Sequence, residues 1–238
     1  MSRRRGGCLV ALLVLLLIGV GVLVVVDRVG VGIAERQVAE QVADRGALAG
    51  TPEVDIAGFP FLTQVVGGRY EDVRVSLDAE ELGQPAGTRA AVSLRGVHVP
   101  LRTVLSGSVQ EVPVDRIDGT ATLAYDLLAA ELGSDATVAP EGAGLRITRT
   151  VEVLGRTLPV TAAGTVVLEG DQLVVDVEEA AGAGVDIPDL LVDRVSDLLD
   201  LRYTVPQLPF GLQLTSVTPA ADGIRVRVEA ADTVLTAQ

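Results

Sequence analysis

The chain has 238 residues and 19 basic side chains, all arginine, against 32 acidic ones, so its net charge is −13. Three arginines lie at positions 3–5, which leaves residues 6–238 with sixteen arginines, 32 acids and a net charge near −16. This balance excludes binding to nucleic acid or an anionic bilayer through bulk charge, because both attractions need a positive surface. The single cysteine excludes a fold held by internal disulfides.

The first predicted element is a transmembrane helix over Gly6–Val26, a run of 21 residues without a charge. At about 1.5 Å per residue it covers roughly 31 Å, which matches a hydrocarbon core of about 30 Å. Arg3–Arg5 precede it, so the positive-inside rule predicts a cytoplasmic N-terminus at residues 1–5 and one extracytoplasmic domain over residues 27–238 at the plasma membrane.

A cleaved secretory signal is the competing interpretation of this segment. Signals of that kind have an apolar core of about 7–15 residues and end at a small-residue cleavage site. This segment is longer and ends at Val26-Asp27, so we expect an uncleaved signal-anchor. Cys8 lies near the start of the apolar run and not at its end, which argues against a lipid-modified N-terminus.

An amphipathic helix is predicted from Val31 to about Asp44, with Val31, Ala34, Val38 and Val42 at spacings of three and four. The stripe is narrow and its residues are small, as expected for a helix that lies close against a sheet. No linker separates this helix from the transmembrane segment, so we expect the domain to lie close to the outer leaflet.

The rest of the chain predicts mostly short strands, in an aliphatic protein with three Phe, three Tyr, no Trp and 26 Gly. The predicted extended segments are 54–64, 70–77, 90–99, 109–123 with a break near Asp118-Gly119, 145–154, 158–168, 173–177 and 224–230. Segments 158–168 and 173–177 are predicted to form a hairpin, and a second hairpin is predicted to turn at Ala221-Asp222-Gly223 into 224–230. The predicted helices are 101–105, 125–132 and Pro188–Leu201. Together these elements predict an α+β fold dominated by a curved antiparallel sheet.

The sequence offers little catalytic chemistry. His98 is the sole histidine, and no nucleophile elbow or phosphate-binding loop accompanies it. A structural zinc site usually needs four His or Cys ligands. This chain has one His, and its one Cys lies in the predicted membrane segment, so the usual ligand set is absent from the sequence. We therefore predict no catalytic residue, no metal site and no cofactor, and an enzyme is the third hypothesis.

Two groups of charged residues leave alternatives open. The aspartates from Asp186 to Asp200 could attract a divalent cation, although a solvated helix face is the favoured explanation. Arginines could hold a phosphate by bidentate hydrogen bonds, although alternation on the outer face of a strand also explains them. These arginines are Arg146, Arg149, Arg156, Arg225 and Arg227.

Two Pro-Phe segments, Phe59–Leu62 and Leu208–Leu212, contain all three phenylalanines. They are either plugs of the core or the rim of an apolar cavity that admits an acyl chain. The second interpretation predicts a lipid-binding set consisting of Phe59, Phe61, Leu62, Leu208, Phe210 and Leu212.

The stretch from Val54 to Gln64, with its Gly58-Phe59-Pro60-Phe61 core, resembles the LmeA-like phospholipid-binding proteins of actinobacterial cell envelopes. Further matches are Gly68-Arg69-Tyr70, Leu94–Leu101 and Leu208–Leu212, so the resemblance covers nearly the whole domain. It implies a phospholipid-binding envelope protein in which a curved antiparallel sheet wraps around a long N-terminal helix, as in tubular lipid-binding folds. One member of that family is tied to elongation of mannan-type glycolipids.

The leading hypothesis is a membrane-anchored extracytoplasmic protein that shields the acyl chains of a phospholipid and supports cell-envelope lipid or lipoglycan maintenance. The alternative is a structural or adaptor domain that binds an envelope protein partner along a sheet edge, without a lipid ligand.

Overall fold

The computed structural model describes residues 3–106, 109–133, 136–153, 156–169, 172–182, 185–186, 202–204 and 211–236. The helices of this part are α1 Arg3–Gly46, α2 Phe61–Gly67, α3 Ala79–Leu82, α4 Leu101–Ser106 and α5 Tyr125–Leu132. The strands are β1 Glu53–Ala57, β2 Arg69–Leu77, β3 Arg89–His98, β4 Glu111–Leu123, β5 Thr137–Glu141, β6 Gly144–Val153, β7 Arg156–Glu169, β8 Gln172–Gly182, β9 Val185–Asp186, β10 Arg202–Thr204, β11 Gln213–Ala220 and β12 Gly223–Thr236.

Helix α1 joins two segments of different character without a break. Residues 12–26 are exposed along their whole length, and the helix is long and apolar enough to cross a membrane. The next part is amphipathic: Val31, Ala34, Val38 and Val42 all pack against the core, as predicted, and Ala39 is buried among them. One rigid element therefore connects the apolar segment to the interior of the domain.

The main sheet has six antiparallel strands in the order β1-β2-β3-β4-β12-β11. Valine, isoleucine and leucine alternate with polar residues along these strands, so one face is apolar and packs against α1. We call this the inner face. The predicted α+β fold with a long N-terminal helix and a curved antiparallel sheet is confirmed.

The main sheet bends along one cross-strand row. Gly96, Asp115 and Asp232 lie opposite one another in β3, β4 and β12, and the φ angles of Gly96 and Asp232 are +62° and +48°. The alternation of faces also breaks here, because Val114 and Ile117 are both buried although they are three residues apart. Irregularities of this kind bend strands and increase their twist, which explains the curvature.

Three sequence predictions need correction. Residues 61–64 are not extended: α2 begins at Phe61, directly after Pro60. β4 runs unbroken through Asp118-Gly119, and its irregular row lies at Asp115 instead. Strand β5 and helix α3 were absent from the prediction, since both are short and neither has a clear period.

A second antiparallel sheet has the order β10-β8-β7-β6-β5, with β9 paired to β8. The predicted hairpin of β7 and β8 is confirmed, and β8 extends further than the sequence indicated, to Gly182. Among the residues whose burial is described, Leu145, Ile147 and Ala162 are the buried hydrophobic residues of this sheet. The predicted helix at 188–201 lies outside the described residues.

Candidate lipid-binding surface

Two acidic side chains of α1 fix the helix to the domain. Asp27 is only 3% exposed, and its carboxylate accepts a hydrogen bond from the backbone N–H of Leu62 at 2.8 Å, in the first turn of α2. Glu35 accepts the N–H of Ile56 at 3.0 Å, on the free edge of β1. Both bonds satisfy backbone donors that have no partner within their own element, at a helix start and at a sheet edge. In the sequence, Asp27 marks only the end of the apolar run, and no local pattern indicates its bond to α2.

The Gly58–Gln64 loop is held by one buried amide. Gln64 donates to the Ala57 carbonyl at 3.2 Å and accepts the Glu71 N–H at 2.8 Å. Gly58 has a φ of +105°, and a Cβ there would lie 2.5 Å from the Gln64 side-chain nitrogen. The loop therefore requires glycine at position 58.

Two rows of residues cross the inner face of the main sheet. In each row the residues lie opposite one another in β1, β2, β3, β4 and β12. The first row is Ile56, Val73, Leu94, Ile117 and Ala230, and the second is Val54, Val75, Val92, Gly119 and Val228. A Cβ at Gly119 would lie 2.6 Å from a methyl of Val228, so glycine makes room for this valine.

The last residue of each row, in β12, is less buried than the residue opposite it in β4. Ile56 and Val73 are 7% and 8% exposed beside α1, whereas Val228 and Ala230 are only partly buried. Leu214 lies opposite Val228, and it is also partly buried, as is Leu212 just before β11. We call Leu212, Leu214, Val228 and Ala230 the β11–β12 apolar surface. Partly covered aliphatic surface of this kind can gain free energy by binding an acyl chain, at about 0.8 kcal/mol per buried methylene.

The outer face of the main sheet is polar. Arg74 pairs with Asp72 at 2.5 Å, and Arg116 pairs with Asp118 at 3.0 Å and Glu229 at 2.7 Å. Exposed pairs of this kind contribute roughly 0–1 kcal/mol each, so they indicate a hydrated face more than a stabilised one. Arg225 and Arg227 belong to this face, since they alternate with inward-facing valines of β12. An apolar ligand therefore has one suitable face of this sheet, the inner one.

A shallow depression of about 260 Å³ opens on the outer face, at the end of the sheet where β2 leaves. Ser76, Thr120, Arg89 and Arg225 are among its lining residues. Asp222 pairs with Arg89 at 2.5 Å. The pKa of the Asp222 carboxyl is lowered by a hydrogen bond from its own backbone N–H and by these arginines. The depression lies on the outer face and has two arginines in its lining, so it is not the acyl-chain cavity predicted at the Pro-Phe segments.

The predicted lipid-binding residues occupy different environments. Phe59 is 58% exposed, with the Arg28 guanidinium 5.4 Å from its ring centre. Phe61 is 5% exposed and packs against Tyr70 at a ring separation of 6.2 Å, and burial raises the pKa of that tyrosine. Leu62 and Leu212 are partly buried. Leu208 and Phe210 lie outside the described residues.

Phe59, Phe61 and Leu62 meet the same short stretch of α1. A Cβ at Gly30 would lie 3.7 Å from the Phe61 ring and 3.9 Å from a methyl of Leu62. These three residues therefore gather at the end of the apolar segment, whereas Leu212 belongs to the other side of the inner face.

His98 lies in a surface cluster at the end of β3. Its Nε2 is 3.3 Å from the guanidinium of Arg69, which donates to Asp115 at 2.7 Å, and its Nδ1 is 3.6 Å from the same carboxylate. The cluster contains no nucleophile. Across the described ranges, no group of three or more His, Cys, Asp and Glu side chains is arranged to hold a metal ion.

A family model for LmeA-like phospholipid-binding proteins matches residues 25–229. The chain belongs to the LmeA-like phospholipid-binding family. This match begins at the end of the apolar segment and covers α1 from residue 25, strands β1 to β11 and β12 as far as Glu229, so it includes Leu212, Leu214 and Val228 of the β11–β12 apolar surface. No curated protein and no solved structure matched the chain. The LmeA-like family is a binding family and not an enzyme family, and the aliphatic inner face is consistent with a lipid ligand.

Proposed function

We propose that this protein is a plasma-membrane-anchored, extracytoplasmic phospholipid-binding protein that shields acyl chains on the inner face of its main sheet. Residues 1–5 are cytoplasmic, residues 6–26 span the membrane and residues 27–238 form the lipid-binding domain. The observation that supports this proposal best is the continuity of α1. The same helix that leaves the apolar segment packs on the aliphatic inner face, so lipid can reach that face over a short distance.

The β11–β12 apolar surface is the proposed floor of the acyl-chain site. Phe59, Phe61 and Leu62 are proposed at its membrane-proximal entrance, with Leu208 and Phe210 completing the set. No charged partner is required, because partial enclosure of a chain already contributes about 0.8 kcal/mol per methylene. The bound lipid would be presented to envelope enzymes, which is how a carrier without a catalytic motif supports lipid or lipoglycan maintenance.

Photocrosslinking in nanodiscs tests the site. The full chain is reconstituted with a phospholipid that carries a diazirine at the end of one acyl chain, and adducts are mapped by peptide mass spectrometry. We expect adducts on the peptides that contain Leu214 and Val228, in addition to those on residues 12–26. Adducts confined to residues 12–26 would contradict the proposal.

Two neighbouring residues of β12 supply a matched pair of variants. Val228→Glu places a charge on the inner face, and Arg227→Glu places the same charge on the outer face of the same strand. Only Val228→Glu should remove the adducts in β11 and β12. If the wild-type chain itself gives no adducts in β11 and β12 and an envelope protein copurifies with it instead, the adaptor hypothesis gains support.

The mass of the mature protein tests the anchor. Retention of residues 1–26 is expected for a signal-anchor. Their loss would convert the same domain into a soluble carrier, which must cross water with its lipid.

A further inference from the structure

The first turn of helix α2 lies in space beside the end of the apolar segment of α1. Asp27, the first residue after Val26, accepts the Leu62 N–H in the first turn of α2 at 2.8 Å. Residues 6–26 cover roughly 31 Å as a helix and a hydrocarbon core is about 30 Å thick, so this contact lies at the membrane–water boundary of a spanning α1. Because α1 is continuous, the position of α2 relative to the bilayer is set by this contact.

Helix α4 lies beside α2 at the same end of the domain. The Val99 N–H donates to the Gly68 carbonyl at 2.9 Å, which joins the end of α2 to the residues that precede α4. Gly68 has a φ of +66°, and a Cβ there would lie 3.0 Å from the Pro100 Cα. This close approach requires glycine at position 68, and it holds the start of α4 next to the end of α2.

Large apolar side chains project from this end of the domain into solvent. Phe59 is 58% exposed, Val66 of α2 is 78% exposed and Val104 of α4 is 46% exposed. About half or more of the surface of each of these side chains is therefore open to a further apolar contact. We call Phe59, Val66 and Val104 the membrane-proximal patch.

Arginine side chains flank the membrane-proximal patch. Arg28 lies over the Phe59 ring at 5.4 Å, and Arg102, in the same short helix α4 as Val104, is exposed. Long arginine side chains beside apolar ones suit the boundary between acyl chains and phosphates, where the aliphatic stem and the charged end face different surroundings. The domain as a whole is acidic, so this local arrangement supplies the contact.

We propose that α2 and α4 form a platform that seats the membrane-proximal patch in the outer surface of the phospholipid bilayer. This inference rests on the anchoring of α1 in the proposed function. A bilayer fits better than a protein partner because the patch adjoins the end of the apolar segment. The platform sets the orientation of the domain, so that the inner face opens toward lipid and α1 does not act as a free pivot.

Single-tryptophan variants test the platform, because the chain has no native tryptophan. Val66→Trp and Val104→Trp are compared with Val167→Trp, a control in β7 that is 39% exposed. Each full chain is reconstituted in nanodiscs of phosphatidylcholine brominated near the headgroup end of its acyl chains. Trp at 66 and 104 should lose most of its emission relative to unbrominated nanodiscs, and Trp at 167 should keep its emission.

Quenching at 66 and 104 no greater than at 167 would overturn the platform. Protection of these two positions from aqueous iodide without bromine quenching would also overturn it, since a protein such as a second copy would then cover the patch. Circular dichroism melting curves that match the wild type confirm that each variant is folded.

Failure of the platform and failure of the proposed function give different results. Acyl-chain adducts at Leu214 and Val228 without quenching at 66 and 104 mean that lipid binds but the platform is wrong. Quenching without those adducts means that the platform stands while the acyl-chain site is wrong.

Discussion

The two sides of the inner face are built from the same aliphatic residue types but differ in what covers them. Beside α1, Ile56, Val73 and Val75 are buried, and they form the core. On the far side, Val228 and Ala230 continue the same cross-strand rows but are only partly buried. The degree to which a side chain is covered by the rest of the domain, and not its hydrophobicity, therefore separates structural residues from candidate ligand-binding residues here.

The largest expected effect is on the covered side. Ile117 is 2% exposed in the centre of the main sheet, so Ile117→Ala should lower the free energy of unfolding by about 2–5 kcal/mol through lost burial and the cavity left behind. Chemical denaturation of the full chain in one detergent measures this. A loss of unfolding free energy below about 1 kcal/mol would show that the residues around Ile117 are loosely packed.

The next effect concerns the attachment of α1. Asp27→Ala leaves the Leu62 N–H without its acceptor, which should cost about 1–3 kcal/mol and speed amide exchange in the first turn of α2. Asp27→Asn keeps a side-chain oxygen and is the matched control, with a smaller expected loss. Equal exchange at Leu62 in all three proteins would mean that α1 and α2 are held together by other contacts.

A pair of valines compares the two sides directly. Val75→Ala removes a buried side chain and Val228→Ala a partly buried one from the same cross-strand row. We expect a stability loss of about 2 kcal/mol for the first and less than about 1 kcal/mol for the second. The yield of acyl-chain adducts should fall only for Val228→Ala. Equal stability losses would indicate that both valines belong to the core.

The smallest effect is at the outer face, away from both sides. The folded-state pKa of Asp222 lies below its ordinary value of 3.8 because its own backbone N–H and Arg89 stabilise the carboxylate. Its contribution to stability is therefore complete above that value and is lost as the pH falls through the lowered one. Asp222→Asn should flatten only this acidic part of the stability profile, as measured by thermal melting between neutral and strongly acidic pH. An unchanged acidic profile would mean that other carboxylates dominate there.

Patterns of period 2 and period 3.6 predicted many of the elements correctly. The stripe of α1, the strands β2, β3, β6 and β7, and the β11–β12 hairpin follow from alternation and from turn residues such as Asp222-Gly223. The error at Phe61–Gln64 has a local cause. Pro60 followed by apolar residues is compatible with a strand or a helix start, and only the carboxylate of Asp27, 35 residues earlier, provides the acceptor for the first turn of α2.

The candidate site shows the same division. The sequence indicated Phe59, Phe61 and Leu62 together, and they do meet beside Arg28 and Gly30 of α1, at the end of the apolar segment. It did not indicate that Phe61 is buried while Phe59 is exposed, because neighbouring residues in a loop have no fixed period. The sequence did not indicate Val228 and Ala230 as candidate ligand-binding residues, since their alternation with polar residues is the same as in any strand with one buried face.

The sequence by itself determined the apolar helix, the acidic charge, the aliphatic composition and the antiparallel strands, because these depend on residues close together in the chain. The tertiary structure decided which apolar residues are covered. Strands β2 and β12 are more than 140 residues apart and share the same inner-face rows, yet Val73 and Val75 are buried whereas Val228 and Ala230 are only partly buried. Those long-range contacts decide which residues remain partly open to a ligand. Local sequence patterns do not contain this information, because they depend only on residues close together in the chain.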